Sequence, residues 1–181
     1  MITEMYANFD LATGADDGTS EADAYKTWAS MKAATVAGDR VNFKKTASRH
    51  SSVSTGYSFA TSSTDLLPII FRGYETTITD GVKMQFLFGG TSSASMDITG
   101  EGLLIQNFDV EGSSTNDVVN CSGDCTLFES CIIVNTGTTA ALHTGLRISD
   151  AYANNCYIET NGTSATSYAV RMQQAGLSNC T

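Results

Sequence analysis

Proline appears once in the 181 residues, histidine twice, and lysine and arginine together only ten times. A chain of this length with so little proline leaves room for one domain with a real core. Charged residues make up 16% of the sequence, below the customary quarter, and the net charge is -9 with a pI near 4.4. That shortage of positive charge excludes nucleic acid as a partner, because a phosphate backbone demands a basic footprint. No apolar run approaches the roughly 20 residues needed to cross a bilayer, so no membrane contact is expected. The opening stretch MITEMYANFDLATG lacks both a basic n-region and an apolar h-region, so it does not read as a signal peptide. Ser, Thr, Asn and Gly carry the polar share instead, and such residues suit turns and flat β surfaces better than helices.

The five cysteines, Cys121, Cys125, Cys131, Cys156 and Cys180, are an odd number. With no export signal they read as free thiols made in a reducing compartment. The two glycosylation patterns, beginning at Asn161 and Asn179, carry weight only in a secreted protein. The spacing of Cys121 and Cys125 lacks a second pair or a nearby histidine, so neither a metal nor any other cofactor is expected.

What the sequence does have is a repeat. Phe108 in LLIQNFDVEG, Cys131 in LFESCIIVNTG, Cys156 in AYANNCYIETNG and Cys180 in GLSNCT recur at steps of 23, 25 and 24 residues. Cys121, Ile148 and Met172 form a second series, with Val119, Leu146 and Val170 beside it. Each repeat holds at least two short strand-like segments joined by polar turns. Self-similarity at this period marks a solenoid. The leucine and asparagine pattern of leucine-rich repeats is absent, and the segments alternate with period two rather than 3.6. A parallel β-helix remains, each repeat one coil stacked about 4.8 Å above the last. Inward residues then pile into columns, and the cysteines become small apolar wall-fillers. Stacked Cβ atoms near 4.8 Å lie beyond the usual disulfide range, so a bridge between Cys131 and Cys156 requires local distortion.

The N-terminal 40 residues read differently. Thr19 or Ser20 is placed to cap a helix, Glu21 and Asp23 favour its first turn, and Gly38 ends it before the strand DRVNF. Ala24, Trp28, Met31 and Thr35 share one face, so the helix covers the apolar cross-section of the first coil, with Trp28 as a core residue of that cap. The division expected is therefore 1–40 as extension and capping helix, and 41–181 as coils, incomplete at the C-terminal side. Residues 46–64, rich in Ser and Thr, read as a long loop or outward excursion. The last stretch, GLSNCT, falls inside a coil without a polar cap, which is expected of part of a longer protein or of an end on which a partner stacks.

The segment YANFDLATGADDGTSEADAYKTWASMKAATVAGDRVNFKK, with its Asp/Gly-rich turn, its helix and its GD-x-V-x-F first strand, resembles the opening of right-handed parallel β-helix proteins of the pectate-lyase-like superfamily. The resemblance implies an all-β solenoid with an N-terminal capping α-helix. The superfamily's functions span polysaccharide lyases and hydrolases as well as tailspikes, fibres and other surface proteins of bacteriophage virions.

Cleavage of a glycan by hydrolysis needs two carboxylates about 5 to 9.5 Å apart facing one sugar. Asp109 and Glu111 lie outward on one strand, with Glu159 two coils above Glu111, but Val134 separates the two glutamates. Asp150 and Glu129 fall at turns. His143 reads as a turn residue, and His50 sits in the presumed loop. NTG lacks the aspartate of the galacturonase-like pattern. The strongest polar signal is Arg147 and Arg171, aligned as outward neighbours with Asn120 on the same series, either to grip an acidic sugar or partner carboxylate or to be offset by Asp150 and nearby amides. Ile132, Val134 and Tyr157 make an outward apolar patch, to be covered by another subunit or by a loop folding back. The function expected is a non-catalytic virion surface component, a tailspike or fibre section or capsid decoration protein. Its partners would be copies of itself, a trimer being favoured, other virion proteins, or a surface polysaccharide. A polysaccharide lyase or hydrolase using Arg147, Arg171 and nearby acids is the alternative.

Overall fold

A computed structural model describes all residues except 1–2, 53–56, 62–66, 89–95, 114–116, 125, 138–143, 162–166 and 174. Its strands form three sheets, and every pairing is parallel. Sheet I has seven strands: Glu4–Ala7, Arg40–Lys44, Ile69–Tyr74, Leu103–Gln106, Thr126–Glu129, Ala151–Asn154 and Gly176–Ser178. Sheet II holds His50–Ser52, Met84–Phe88, Phe108–Gly112, Ile132–Asn135 and Tyr157–Thr160. Sheet III holds Tyr57–Phe59, Met96–Ile98, Val119–Cys121, Thr144–Ser149 and Tyr168–Gln173. From Arg40 onward the chain visits sheets I, II and III in strict rotation, so each circuit is one coil of a three-sided parallel β-helix.

Period-two alternation sends every second residue inward, and the register stacks those residues into columns. One column runs Met84, Phe108, Cys131 and Cys156, with Cys180 above it. Another runs Phe59, Ile98, Cys121, Ile148 and Met172, beside Tyr57, Met96, Val119, Leu146 and Val170. Both series expected from the repeat are inward columns of the solenoid.

Each coil carries three strands where the sequence suggested at least two, and the corner between sheets I and II explains the difference. Asn107, Ser130, Asn155 and Asn179, each immediately before a column residue, adopt left-handed φ values of 57°, 54°, 52° and 50°. One such residue turns the chain through the corner, and Asn tolerates this conformation better than most side chains. The corners stack as well: the N–H groups of Asn107, Ser130 and Asn155 donate to Glu129, Asn154 and Ser178 carbonyls of the next coil at 3.1, 3.1 and 2.9 Å. A strand break of two residues, Ser130 and Cys131, leaves TLFESCIIVN looking like a single run. The opposite corner is tightest at Gly123, where a Cβ would fall 1.9 Å from the carbonyl oxygen of Gly100 in the coil below.

The N-terminal segment departs from expectation in two ways. Glu4–Ala7 is a strand that extends sheet I by pairing with Arg40–Lys44. The helix is short, Trp28–Ala34, and its N-cap is Thr27, whose Oγ1 accepts from the Ser30 N–H at 3.1 Å, rather than Thr19 or Ser20. Polar side chains hold the preceding stretch in turns. Asp23 accepts from the Ala15 N–H at 3.0 Å and Asp16 from the Lys26 N–H at 2.7 Å, so short acidic side chains compete with helix formation as they do in loops. The four residues expected on the helix's apolar face all pack inward, although Ala24 precedes the helix and Thr35 is its C-cap: Ala24, Met31 and Thr35 are buried, and Trp28 packs on Tyr57 and Phe59 with ring centroids 4.6 and 4.5 Å away.

The described residues of the stretch 46–64 join the solenoid instead of looping out. They contain the sheet II and sheet III strands of the first coil, His50–Ser52 and Tyr57–Phe59. The stretch is poor in aliphatic residues because rings fill this part of the interior. His50 stands in the inward column below Phe86 and packs against Phe9 at 4.4 Å, while Tyr57 stands below Met96.

Candidate functional site

The outward column of sheet III runs Ser58, Asp97, Asn120, Arg147 and Arg171, so the structure brings together the three polar residues singled out from sequence. Asn120 donates from Nδ2 to Asp97 at 3.3 Å. Arg147 pairs with Asp117 at 3.7 Å, not with Asp150, and its side chain keeps 46% exposure, so it stays open to solvent. Among the described residues Arg171 has no carboxylate at ion-pair distance. The two guanidinium groups border a cleft of about 220 Å³ completed by Ser149, Gln173 and the strand backbone.

A larger groove, about 360 Å³, runs along the corner between sheets I and II. Its floor is the stack of left-handed corner residues Asn107, Ser130 and Asn155, in which Asn155 Nδ2 donates to Ser130 Oγ at 3.1 Å. Ile132 and Tyr157 line it on the sheet II side, and Lys83, in register below Asn107, borders it with Gly81 from the coil beneath. The residues expected to make one outward apolar patch divide: Ile132 and Tyr157 line a groove, whereas the half-buried Val134 sits in register between Glu111 and Glu159. The Tyr157 hydroxyl donates to Glu159, and that hydrogen bond, with the carboxylate's charge behind it, raises the phenol above its ordinary range.

The carboxylates near this face are engaged. Arg49, reaching from the first coil, holds Glu111 at 2.5 Å and Asp109 at 3.4 Å, and Gln85 donates to Asp109 at 3.0 Å. Asp109 is buried beneath that guanidinium. Charge-assisted bonds of this kind occupy the carboxylate oxygens as acceptors. Glu159 is the remaining acid of the series, and it faces the phenol.

Two outward series on sheet I escaped the sequence reading. Ile70, Leu104, Leu127 and Tyr152 are register partners on successive coils, with Tyr152 58% exposed. Beside them Arg72 donates to Gln106 at 3.2 Å and Gln106 to Glu129 at 2.5 Å, a polar ladder along the axis. The signal was the second residue of each sheet I strand, hidden while sheets I and II read as one run. Cys125 and His143 lie outside the described residues. Among the described residues no group of three His, Cys, Asp or Glu side chains has the geometry to hold a metal ion, and no helix is long and apolar enough to cross a membrane.

No family model matches the chain, and no curated protein matches it. Two solved structures are similar. Pectate lyase Pel9A superposes with a TM-score of 0.59 at 12% identity, covering 87% of this chain and 48% of its own. A rhamnogalacturonan lyase gives 0.54 at 13% identity, covering 98% and 56%. The fold is a pectate-lyase-like parallel β-helix. This chain thus spans about half the length of the structures it resembles, and at these identities the likeness concerns the scaffold alone. Both neighbours are named as lyases, and neither name is that of a virion protein.

Proposed function

We propose that this chain is a non-catalytic, glycan-contacting section of β-helix, and that the corner groove is its sugar site. The observation that carries this reading is the groove's chemistry. Stacked amides and a hydroxyl from Asn107, Ser130 and Asn155 offer both donors and acceptors to sugar hydroxyls, and Tyr157 offers a half-exposed aromatic surface to the apolar face of a pyranose. A neutral polysaccharide is the ligand class that fits best. A polyanion approaching this chain meets a net charge of -9, against which Lys83 is a single local cation. Engagement of Asp109 and Glu111 by Arg49 supports the non-catalytic part, since a hydrolase needs two free carboxylates across one sugar.

Affinity electrophoresis through gels containing neutral or acidic polysaccharides tests the site. Retardation by a neutral glycan, lost in Tyr157→Ala and reduced in Asn155→Ala, is expected. Release of reducing ends or of ultraviolet-absorbing unsaturated uronides would show catalysis and end this reading in favour of a lyase or hydrolase.

A second reading, a structural part of an assembly such as the virion surface expected from sequence, is favoured by a separate observation. The outward series Ile70, Leu104, Leu127 and Tyr152 presents apolar side chains on four consecutive coils. Contiguous apolar surface of this kind marks contact sites more often than solvated faces. Light scattering of the purified chain would give a trimer or other homo-oligomer under this reading, and a monomer would set it aside.

A further inference from the structure

The inward column of sheet II ends in three consecutive thiols. Cys131, Cys156 and Cys180 follow equivalent left-handed corners on successive coils. Their sulfurs share one orientation. Each lies against the carbonyl two residues earlier, at 3.4 Å from Glu129, 3.3 Å from Asn154 and 3.2 Å from Ser178. Each also lies against a carbonyl of the coil below, at 3.5 Å from Ile105, 3.7 Å from Phe128 and 3.4 Å from Ala153. The three residues stack in register on successive coils, so their sulfurs form one file along the axis. Accessibility is graded: Cys131 and Cys156 are buried, and Cys180 is partly exposed.

We propose that Cys180 and Cys156 form a thiol modification site, a dithiol that a small disulfide such as glutathione disulfide oxidises to an intramolecular Cys156–Cys180 bridge. In the first step the Cys180 thiolate attacks one sulfur of glutathione disulfide. The sulfur–sulfur bond breaks, a mixed disulfide forms on Cys180, and a glutathione thiolate leaves and takes up the proton. In the second step the Cys156 thiolate attacks the Cys180 sulfur, the protein disulfide forms, and the second glutathione leaves. Two protein thiols are oxidised and one small disulfide is reduced to two thiols.

Geometry chooses this pair over Cys131–Cys156. Stacked Cα atoms about 4.8 Å apart already lie within the disulfide range, but Cβ atoms must close by several tenths of an ångström. Cys131 is held between Phe108 and Cys156, and closing onto it would strain packed coils on both sides. Cys180 is partly exposed, unlike Cys131, so it has room for that shift. Ionisation favours Cys156 over Cys131 as the partner. Hydrogen bonding from the Cys131 thiol, against the opposing effect of burial, brings Cys156 down to about 7, and the Cys180 thiol adds to the lowering. Cys131, fully buried, is pushed well up and remains a thiol. Thiolate is the attacking species, so the resolving role falls to Cys156.

The test is to incubate the native protein with glutathione disulfide, alkylate the remaining thiols, and map the peptides by mass spectrometry. A Cys156–Cys180 cross-linked peptide is expected, with Cys131 alkylated only after unfolding. The oxidised form should melt several degrees higher, reversibly with dithiothreitol, because a short loop has been closed. Cys131→Ser should retain the bridge and Cys180→Ser should lose it, and a parallel Cys125→Ser run should leave the pairing unchanged. A stable glutathione adduct on Cys180 with no bridge, a Cys131–Cys156 or Cys125 link, or no reaction at Cys180 in the folded protein would each overturn the proposal.

Discussion

Between Phe9 and Phe108 the interior of the solenoid is built largely from rings; above Val110 it is built from isoleucine, valine, alanine and thiols, with Phe128 the last phenylalanine. Phe43 shows what rings do. Its centroid lies 5.5 to 6.3 Å from those of Phe9, Trp28, Phe71, Phe86 and Phe108, so one side chain ties the cap and three coils together. The upper columns work differently. Ile133 stacks between Val110 and Ile158, and Cys131 between Phe108 and Cys156, each locked chiefly to the equivalent residue above and below. The lower coils are therefore a jigsaw, and the upper coils a stack of near-identical layers.

Truncating one member of each type is the strongest way to break this contrast. Phe43→Ala removes a fully buried ring whose neighbours are themselves interlocked, and a loss of about 3–5 kcal/mol in urea unfolding is expected. Cys131→Ala removes one sulfur from a wall that stays otherwise complete, and about 1 kcal/mol is expected. Equal losses at the two positions would mean that the stacked column, not the ring cluster, holds the coils together.

The same contrast governs what could be read from the sequence. Above Phe108 the columns are filled by like side chains, so their spacing exposed the solenoid, the inward positions and the outward alignment of Asn120, Arg147 and Arg171. Below it, ring packing is not periodic: Phe43 and Phe71 fill space from different register positions of sheet I and Phe86 from sheet II, and the stretch 46–64 looked like a loop although it contains two strands of the first coil. Sheet I stayed hidden because a single left-handed residue, Ser130 or Asn155, is a turn too short to punctuate the sequence. The candidate groove was only half legible for the same reason. Ile132 and Tyr157 could be assigned outward by alternation, whereas the grouping of Asn107, Ser130 and Asn155 depends on the corner, and Lys83 enters from a segment before the regular repeats. Arg49 is legible from structure alone, since its partners Asp109 and Glu111 lie on a sheet II strand two coils above its own.

A smaller effect sharpens the comparison from the side of pH, because the ring cluster contains a titratable ring and the upper columns contain none. His50 packs on Phe9 and Tyr57, its Nε2 is 2.6 Å from the Tyr57 hydroxyl, and burial lowers its affinity for a proton while the nearby Asp10 charge partly opposes that shift. The folded state thus prefers the neutral ring more strongly than the unfolded chain does, where imidazole titrates near 6.5. The stabilisation is complete above that value and is lost as the pH falls from about 6.5 through the depressed folded value. His50→Gln retains a hydrogen-bonding partner for Tyr57 without a titrating group, so its stability should vary less with pH than the parent's between about pH 7 and 5, where carboxylates contribute equally to both proteins. Parallel pH profiles for parent and variant would locate the acid sensitivity of the fold outside the ring cluster, and would leave His50 as a packing residue whose charge state the surrounding rings do not control.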